Sequence, residues 1–158
     1  MKYNQLVERI EQELAEIREI VNRTQLFVQQ EPQTEAVPFQ EALNSAIALN
    51  LHSFYTGVER ILEAIARFVD GGIPMGEQWH RQLLEQMCVD IPQVRPAVIS
   101  ESSRTRLDEF RRFRHVVRSL YAYRLEKKRV MELAGQLPEC SRGFEHEIQQ
   151  FKKFIIRN

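Results

Sequence analysis

Mostly apolar residues recur at alternating spacings of four and three through the first thirty residues of the chain. They are Tyr3, Val7, Ile10, Leu14, Ile17, Val21, Thr24 and Val28, and glutamates and arginines occupy the positions between them. Because an α-helix turns once every 3.6 residues, this spacing places them on one face. The pattern predicts a long amphipathic helix over residues 4–30, whose apolar stripe must be buried against other helices.

Prolines and glycines divide the rest of the chain into four further helical segments. Pro32 and Pro38 separate the first two helices, and Asp70-Gly71-Gly72 ends the second. The predicted bounds are 39–69, 77–88 (short), 101–124 with Ser100 as the N-cap, and 126–156. Pro138 predicts a kink or short break in the last helix between residues 135 and 143. The expected fold class is all-α, an antiparallel bundle of four long helices plus one short helix.

Length and charge limit the possibilities further. A chain of 158 residues is expected to form a single domain, 1–158. The formal net charge is zero, but residues 1–41 carry four basic side chains against eight glutamates, and residues 104–129 carry ten basic against three acidic. This asymmetry predicts a polarised surface rather than a uniformly basic protein.

The sequence gives no sign of an exported or membrane protein. Cys88 and Cys140 are far apart and too few for a disulfide scaffold, so we expect a reduced, cytoplasmic setting. The longest stretch without Asp, Glu, Lys or Arg, residues 42–58, is shorter than the ~20 apolar residues of a membrane span, and no membrane partner is expected.

The common catalytic and cofactor motifs are missing from the sequence, and no cofactor is expected. Glu77 and His80 have the Glu-x-x-His spacing of helical di-iron sites, but such sites need a second pair and two more glutamates. No metal site is therefore predicted. We interpret the pair as surface polar residues beside a core Trp79.

The fourth helix has a basic edge. Residues seven apart nearly complete two turns, so Arg104, Arg111 and Arg118 are expected on one ridge, with His115 beside it. Arg114, Arg118 and Tyr121 are expected on the neighbouring ridge. Arginines beside an aromatic ring suit phosphate and base contacts in RNA. The alternative is a solvated cationic face that balances the acidic first helix or a partner.

The same segment resembles the HEPN superfamily, and more closely its HepT-like branch. The resemblance covers most of the chain, through LHSFYTGVERILEAIARFVDGGIPMGEQWHRQLLEQM (51–87), VRPAVISE (94–101) and FRRFRHVVRSLYAYR (110–124). It implies a helical bundle that dimerises with its motif helices facing each other. Many such proteins are metal-independent ribonucleases, often toxins paired with a nucleotidyltransferase antitoxin that transfers AMP to a motif tyrosine.

The family motif is Arg, a polar residue, then His four to six residues after the Arg, with Tyr two places beyond the His in HepT-type members. The resemblance places Arg114, His115 and Tyr121 at the Arg, polar and Tyr positions, and Ser119 at the His position. Metal-free RNA cleavage needs an acid or base that titrates near neutrality, which histidine supplies and serine does not. These four residues are the candidate catalytic positions, with Arg104, Arg111 and Arg118 as candidate nucleic-acid contacts.

The resemblance and this departure lead to one main hypothesis and two alternatives. The main one is a HepT-like protein of a toxin–antitoxin type system that binds RNA or a partner, with ribonuclease activity weakened or lost. The first alternative is an active HEPN ribonuclease regulated by a nucleotidyltransferase. The second is a stand-alone dimeric bundle with no nucleic-acid role. A homodimer is expected in each case, because the second helix is apolar around much of its circumference.

Overall fold

The computed structural model describes residues 2–31 and 36–158 and shows the predicted all-α bundle. The helices are α1 (Asn4–Gln30), α2 (Val37–Ile65), the short α3 (Trp79–Met87), α4 (Glu101–Ser119) and α5 (Lys127–Arg157). A π-helical turn, Ala66–Asp70, extends α2, and a 3-10 turn, Ala122–Arg124, lies between α4 and α5. The described residues contain no β-strand, and their one isolated bridge joins Ile91 and Arg95.

Ion pairs and hydrogen bonds show that α5 runs antiparallel to both α1 and α4. Between α1 and α5, Glu11 pairs with Lys152 and Arg18 with Glu145. Between α4 and α5, Ser103 pairs with Glu147 and Glu109 with Arg129. In each pair of helices one residue number rises as the other falls. The central element is α2, which packs against all four other helices.

The core follows the predicted stripes with two differences. On α1, Leu6, Ile10, Leu14 and Ile17 are buried, whereas the predicted Tyr3, Val7, Val21 and Val28 are half-buried. The stripe is therefore wider than one row, because α1 packs on both α2 and α5. Phe39, in the first turn of α2, and Phe68, in the π-helical turn after it, were expected in the core but are exposed, since they lie at the two ends of this helical segment.

The predicted end of α4 and the predicted short break in α5 are wrong. Helix α4 ends at Ser119, because Leu120 is extended and begins the turn that buries Leu125. Asn44 of α2 donates a hydrogen bond to the Leu125 carbonyl at 3.3 Å, which holds this turn. Helix α5 continues through Pro138 without the predicted break. Proline removes one hydrogen bond there, and the buried side chains on both sides of it keep the helix in register.

Other boundary predictions are confirmed. Ser100 caps α4, since its Oγ accepts a hydrogen bond from the Ser103 N–H at 3.1 Å. Gly71 ends the α2 extension with a left-handed φ of 89°. Pro38 lies in the first turn of α2, while the expected break at Pro32 lies outside the described residues. Among the helices of the described chain, none has the length and apolar character needed to cross a membrane.

A buried arginine fixes the segment between α3 and α4. The Arg95 guanidinium contacts both Asp70 carboxylate oxygens, at 2.6 and 2.7 Å, and donates to the carbonyls of Val89, Pro96 and Gln86. Gln86 of α3 also donates to Asp70 at 2.8 Å. Asp70 is the last residue of the π-helical turn that extends α2, so these bonds fasten α3 to the end of that extension. They thereby determine where the first turn of α3, with Trp79 and His80, is held.

The close approach of α1 and α2 at Gly57 is testable. A Cβ at this position would lie 2.9 Å from Ile17 Cγ1 and 3.3 Å from Ile17 Cδ1. We expect Gly57→Ala to lower the free energy of unfolding by ~1–3 kcal/mol, because overpacking outweighs the gain in helix propensity. Gly135→Ala is the matched control, since nothing lies within 4 Å of its Cβ, and it should stabilise by ~0.5–1 kcal/mol. Urea denaturation measures the stability of both variants. A Gly57→Ala variant as stable as the control would contradict the close approach of Gly57 to Ile17.

Candidate functional site

A buried ion pair joins α2 and α4. Arg114 Nη2 lies 2.9 Å from both carboxylate oxygens of Glu59. The two side chains are only 4% and 9% exposed. Removing two charges from water is costly, and close pairing with further hydrogen bonds offsets that cost. The pair therefore requires other polar groups around it.

His80, from the first turn of α3, is the third member of this cluster. Its Nδ1 lies 2.7 Å from Glu59 Oε2 and 3.2 Å from Arg114 Nη2. An ionised carboxylate only accepts hydrogen bonds and a guanidinium only donates them. Nδ1 cannot both donate to Glu59 and accept from Arg114, and the shorter contact is the hydrogen bond: Nδ1 donates a proton to Glu59, while Arg114 Nη2 lies beside Nδ1 without bonding to it. We call Glu59, His80 and Arg114 the polar cluster.

The other ring nitrogen of His80 faces solvent. In the described part of the chain, the side-chain polar atoms that are both buried and without a partner are Asn44 Oδ1 and Asn50 Nδ2. Nε2 of His80 makes no hydrogen bond and is not one of them, and the side chain is 30% exposed. The Trp79 ring covers part of the imidazole, with ring centroids 3.7 Å apart. His80 is thus held from inside with one nitrogen open.

Neighbouring residues of α2 complete the surroundings of Arg114. The guanidinium lies 4.7 Å from the centroid of the Tyr55 ring, and Nη1 reaches Thr56 Oγ1 at 3.5 Å. Thr56 Oγ1 donates to the His52 carbonyl at 3.1 Å. Burial raises the pKa of Tyr55, so this phenol stays neutral. Burial also lowers the pKa of His52, and the positive charges of Arg118 and Arg114 lower it further.

The four motif positions do not come together within one chain. Arg114 is buried in the polar cluster, whereas His115 is exposed on the other side of α4. Ser119 is the last residue of α4, and its Oγ hydrogen-bonds to the carbonyls of His115 and Val116, both at 3.1 Å. Tyr121 lies beyond the helix and is 73% exposed. The expected ridge of Arg114, Arg118 and Tyr121 therefore does not form, because α4 ends too early.

The basic edge of α4 is partly neutralised. Arg104 pairs with Glu101, and Arg111 pairs with Asp108 at 2.7 Å. Arg118 is exposed and forms no ion pair with the described residues. Beyond it, the Tyr121 and Tyr123 rings are nearly parallel with centroids 6.1 Å apart. We call Arg118, Tyr121, Tyr123 and Arg124 the exposed basic–aromatic surface.

Glu59 and His80 are the residues that the sequence interpretation missed. His80 was interpreted as a surface residue beside a core Trp79; instead it is half-buried and bound to Glu59, and Trp79 is itself half-buried. Glu77 is exposed and outside the polar cluster. Within the described ranges, no group of three or more His, Cys, Asp or Glu is arranged to hold a metal ion. One available signal was that Glu59, four residues after Tyr55 and three before Leu62, falls on the apolar face of its helix, where a charge requires a partner.

The ion pair between α2 and α4 predicts a large stability effect. Glu59→Gln should lower the free energy of unfolding by about 3 kcal/mol, because it leaves the Arg114 charge buried without a counter-charge. Glu63→Gln, one turn later on α2, is the control. Glu63 pairs with Arg67 near the surface, so its loss should cost no more than about 0.5 kcal/mol. Equal losses of unfolding free energy in urea denaturation would contradict the prediction that the buried pair stabilises the fold more than the surface pair does.

Comparison with known families identifies the fold. A family model described as HepT-like protein matches residues 46–155, about two thirds of the chain. The matched range contains the polar cluster, Ser119 and Tyr121. Comparisons with curated proteins and with solved structures give no match. The chain belongs to the HepT-like family, as its resemblance predicted.

Proposed function

We propose that this HepT-like protein belongs to a toxin–antitoxin type system and binds RNA, with ribonuclease activity through the α4 motif weakened or lost. One observation about the motif residues carries the proposal. The polar groups of Arg114 and Ser119 are both bound to other groups of their own chain, Glu59 and the His115 carbonyl. The first alternative from the sequence, an efficient ribonuclease that uses these positions, needs both groups to be free for RNA.

Arg114 is poorly placed to receive a phosphate. Its charge is already balanced by Glu59, and its side chain is 4% exposed. A phosphate would have to displace that carboxylate, or enter beside it against electrostatic repulsion. Arg114 therefore acts as an internal support of the fold rather than as an RNA contact.

Ser119 lacks what proton transfer requires. A serine hydroxyl needs an adjacent base to lose its proton. The nearest polar partners of Oγ are backbone carbonyls of its own helix, which are not proton acceptors of useful strength. The motif position therefore supplies no acid or base.

The exposed basic–aromatic surface supports RNA binding instead. Arg118 is free of carboxylate partners in the described structure, and the guanidinium of Arg124 lies over the Tyr123 ring at 5.6 Å. Exposed tyrosine rings offer faces on which single-stranded bases stack, and arginines contact phosphates. Arg104 and Arg111 pair with carboxylates of their own helix. We therefore expect these two residues to contribute less to RNA binding than the sequence suggested.

A nucleotidyltransferase is the second candidate partner. Tyr121, at the position that the family resemblance links to AMP transfer, is 73% exposed on an extended segment. This exposure favours a residue that another protein reaches. To test the idea, a tagged chain would be co-purified with a nucleotidyltransferase encoded by a neighbouring gene. Mass spectrometry of the peptide that contains Tyr121 would then show whether AMP is attached. A cytoplasmic location agrees with such a partner and stays a prediction.

RNA binding should depend on the exposed basic–aromatic surface. We expect Arg118→Glu with Arg124→Glu to weaken binding of single-stranded oligoribonucleotides at least ~10-fold at ~0.1 M salt, because phosphate contacts are lost. Fluorescence anisotropy in EDTA measures it. The control, Arg9→Glu with Arg23→Glu on α1, changes the net charge equally. Equal binding by both double variants would contradict an RNA surface here and favour the stand-alone bundle.

Homodimer formation is the companion proposal. Leu49 is 60% exposed in the middle of α2, and Val37 and Phe39 are exposed at its start. Light scattering at micromolar concentration should give twice the mass of one chain, and Leu49→Arg should give single chains, because a charge is costly in an apolar interface. Val89→Arg, at an exposed apolar residue outside α2, should stay dimeric. A monomeric wild-type protein would contradict the proposal.

A further inference from the structure

We infer that the pocket between the end of α4 and the start of α5 holds one unpaired guanine base of the bound RNA. The inference rests on the proposed function for its ligand and deepens it, because it adds a base-binding site to the exposed basic–aromatic surface. The juxtaposition that carries it is an apolar pocket floor between arginines and one carboxylate, Glu126, whose side chain has no partner among the described residues.

The floor of the pocket is apolar and open to solvent. The pocket has a volume of about 370 Å³, within the range of sites that hold small organic molecules. Phe113 is buried beneath it, whereas Val116 and Leu120 are 39% and 45% exposed. Covering such exposed apolar surface is favourable in water. The floor is thus a preformed surface on which one flat ring can pack.

Three arginines surround this floor, Arg112, Arg124 and Arg129. Arg124 makes no ion pair with the described residues, and its guanidinium lies over the Tyr123 ring at 5.6 Å. The carboxylate contacts of the other two are 3.3 to 3.8 Å long, and these arginines are 64% and 41% exposed. Exposed pairs of this kind are weak, so a phosphate can replace the carboxylates. The rim of the pocket therefore attracts an anionic ligand.

Continuity with the exposed basic–aromatic surface favours RNA as the occupant. Arg124 belongs both to that surface and to the pocket, so a strand that stacks on the tyrosines reaches the pocket without leaving the protein. A protein partner fits less well, because a stable protein interface buries ~800 Å² on each side. The floor offers such a partner only two exposed apolar side chains, Val116 and Leu120.

The pocket is separate from the arginine of the family motif. Arg114 points toward α2, where it binds Glu59. Residues advance about 100° each along an α-helix, so Val116 lies ~200° around α4 from Arg114. The base site is therefore on the opposite side of α4 and requires none of the four motif positions.

Glu126 determines which base the pocket prefers. An ionised carboxylate only accepts hydrogen bonds and arginines only donate them, so the base must present both donors and acceptors. Guanine offers N1–H and its N2 amino group to one carboxylate, and its O6 and N7 accept from an arginine. Adenine and cytosine offer the carboxylate one amino group alone. Uracil has a carbonyl on each side of its single N–H, and the carboxylate of Glu126 repels both.

Binding of short oligoribonucleotides tests the inference. The probes are a labelled oligouridine with one central guanosine, and the same strand with uridine or inosine at that place. Fluorescence anisotropy in EDTA measures the affinity of the full-length protein for each strand. The guanosine strand should bind at least ~5-fold more tightly than the all-uridine strand, because only guanine makes the paired contact with the carboxylate. Inosine lacks the N2 amino group, so its strand should have an intermediate affinity.

Two variants locate this preference in the pocket. Val116→Phe fills the space above the floor, and Glu126→Gln removes the negative charge, so each should lose the preference for guanosine. Val94→Phe is the control for the first, at a valine that is 43% exposed outside the pocket. Glu77→Gln, at an exposed glutamate, is the control for the second, and both controls should keep the preference. Circular dichroism checks folding, and Glu126→Gln decides alone if Val116→Phe does not fold.

The outcomes separate the inference from the proposed function. Loss of the preference in the folded pocket variants, with both controls unchanged, supports the inference. A wild-type protein that binds the guanosine and uridine strands equally overturns it and leaves the proposed RNA binding intact. A preference that either folded pocket variant retains overturns it in the same way. Absence of binding to every strand overturns the proposed function instead.

Two further measurements identify other occupants of the pocket. Guanosine monophosphate that displaces the guanosine strand as well as the unlabelled strand does would assign the pocket to a free nucleotide and overturn the inference. Light scattering of Val116→Phe tests for a second copy of the chain. Loss of the homodimer in this variant, together with equal binding of all strands, would assign the pocket to that copy and overturn the inference.

Discussion

The ion pair between Glu59 and Arg114 lies where α2 meets α4, with both charges removed from water. Each charge would cost several kcal/mol of desolvation if left alone. The structure offsets this cost with two close oxygen contacts, the Nδ1–H of His80 and the face of the Tyr55 ring. Apolar contacts tolerate small shifts between helices, whereas these polar contacts have narrow geometric limits. The relative placement of α2, α3 and α4 therefore depends on this pair.

Because of this pair, the motif residues of the HepT-like family do not all lie on one side of α4. Arg114 is turned inward, while Ser119 and Tyr121 are exposed at the end of α4 and beyond it. What the motif loses at Ser119 is a group that moves protons. The imidazole that contacts Glu59 lies on a different helix, α3.

Much of the fold was predictable from local pattern. The bounds of α1 and the N-cap at Ser100 follow from periodicity and from hydrogen-bonding chemistry that acts within a few residues. The end of α4 was not predictable in that way, because it depends on Leu125 being buried and on Asn44 binding its carbonyl from another helix. Pro138 shows the same limit, since tertiary packing keeps α5 continuous against the local preference.

The candidate site was less predictable than the fold. Arg114 was identified through helical spacing and a family motif, but neither predicted that it forms a buried ion pair with Glu59. Glu59 and His80 are 21 residues apart and meet because Arg95 and Gln86 bind Asp70 and fasten α3 to the end of α2. The spacing of these residues in the sequence does not predict such a contact. A charged residue on the apolar face of a helix indicates that a partner exists, but not which residue it is.

A double-mutant cycle between Glu59 and Arg114 tests the central claim most directly. The free energy of unfolding would be measured for the wild type, Glu59→Ala, Arg114→Ala and the double variant by urea denaturation. If the two charges support each other inside the bundle, their coupling energy should be at least about 2 kcal/mol, because each single change leaves an unpaired buried charge. A coupling below about 0.5 kcal/mol would contradict the claim that this pair organises the site.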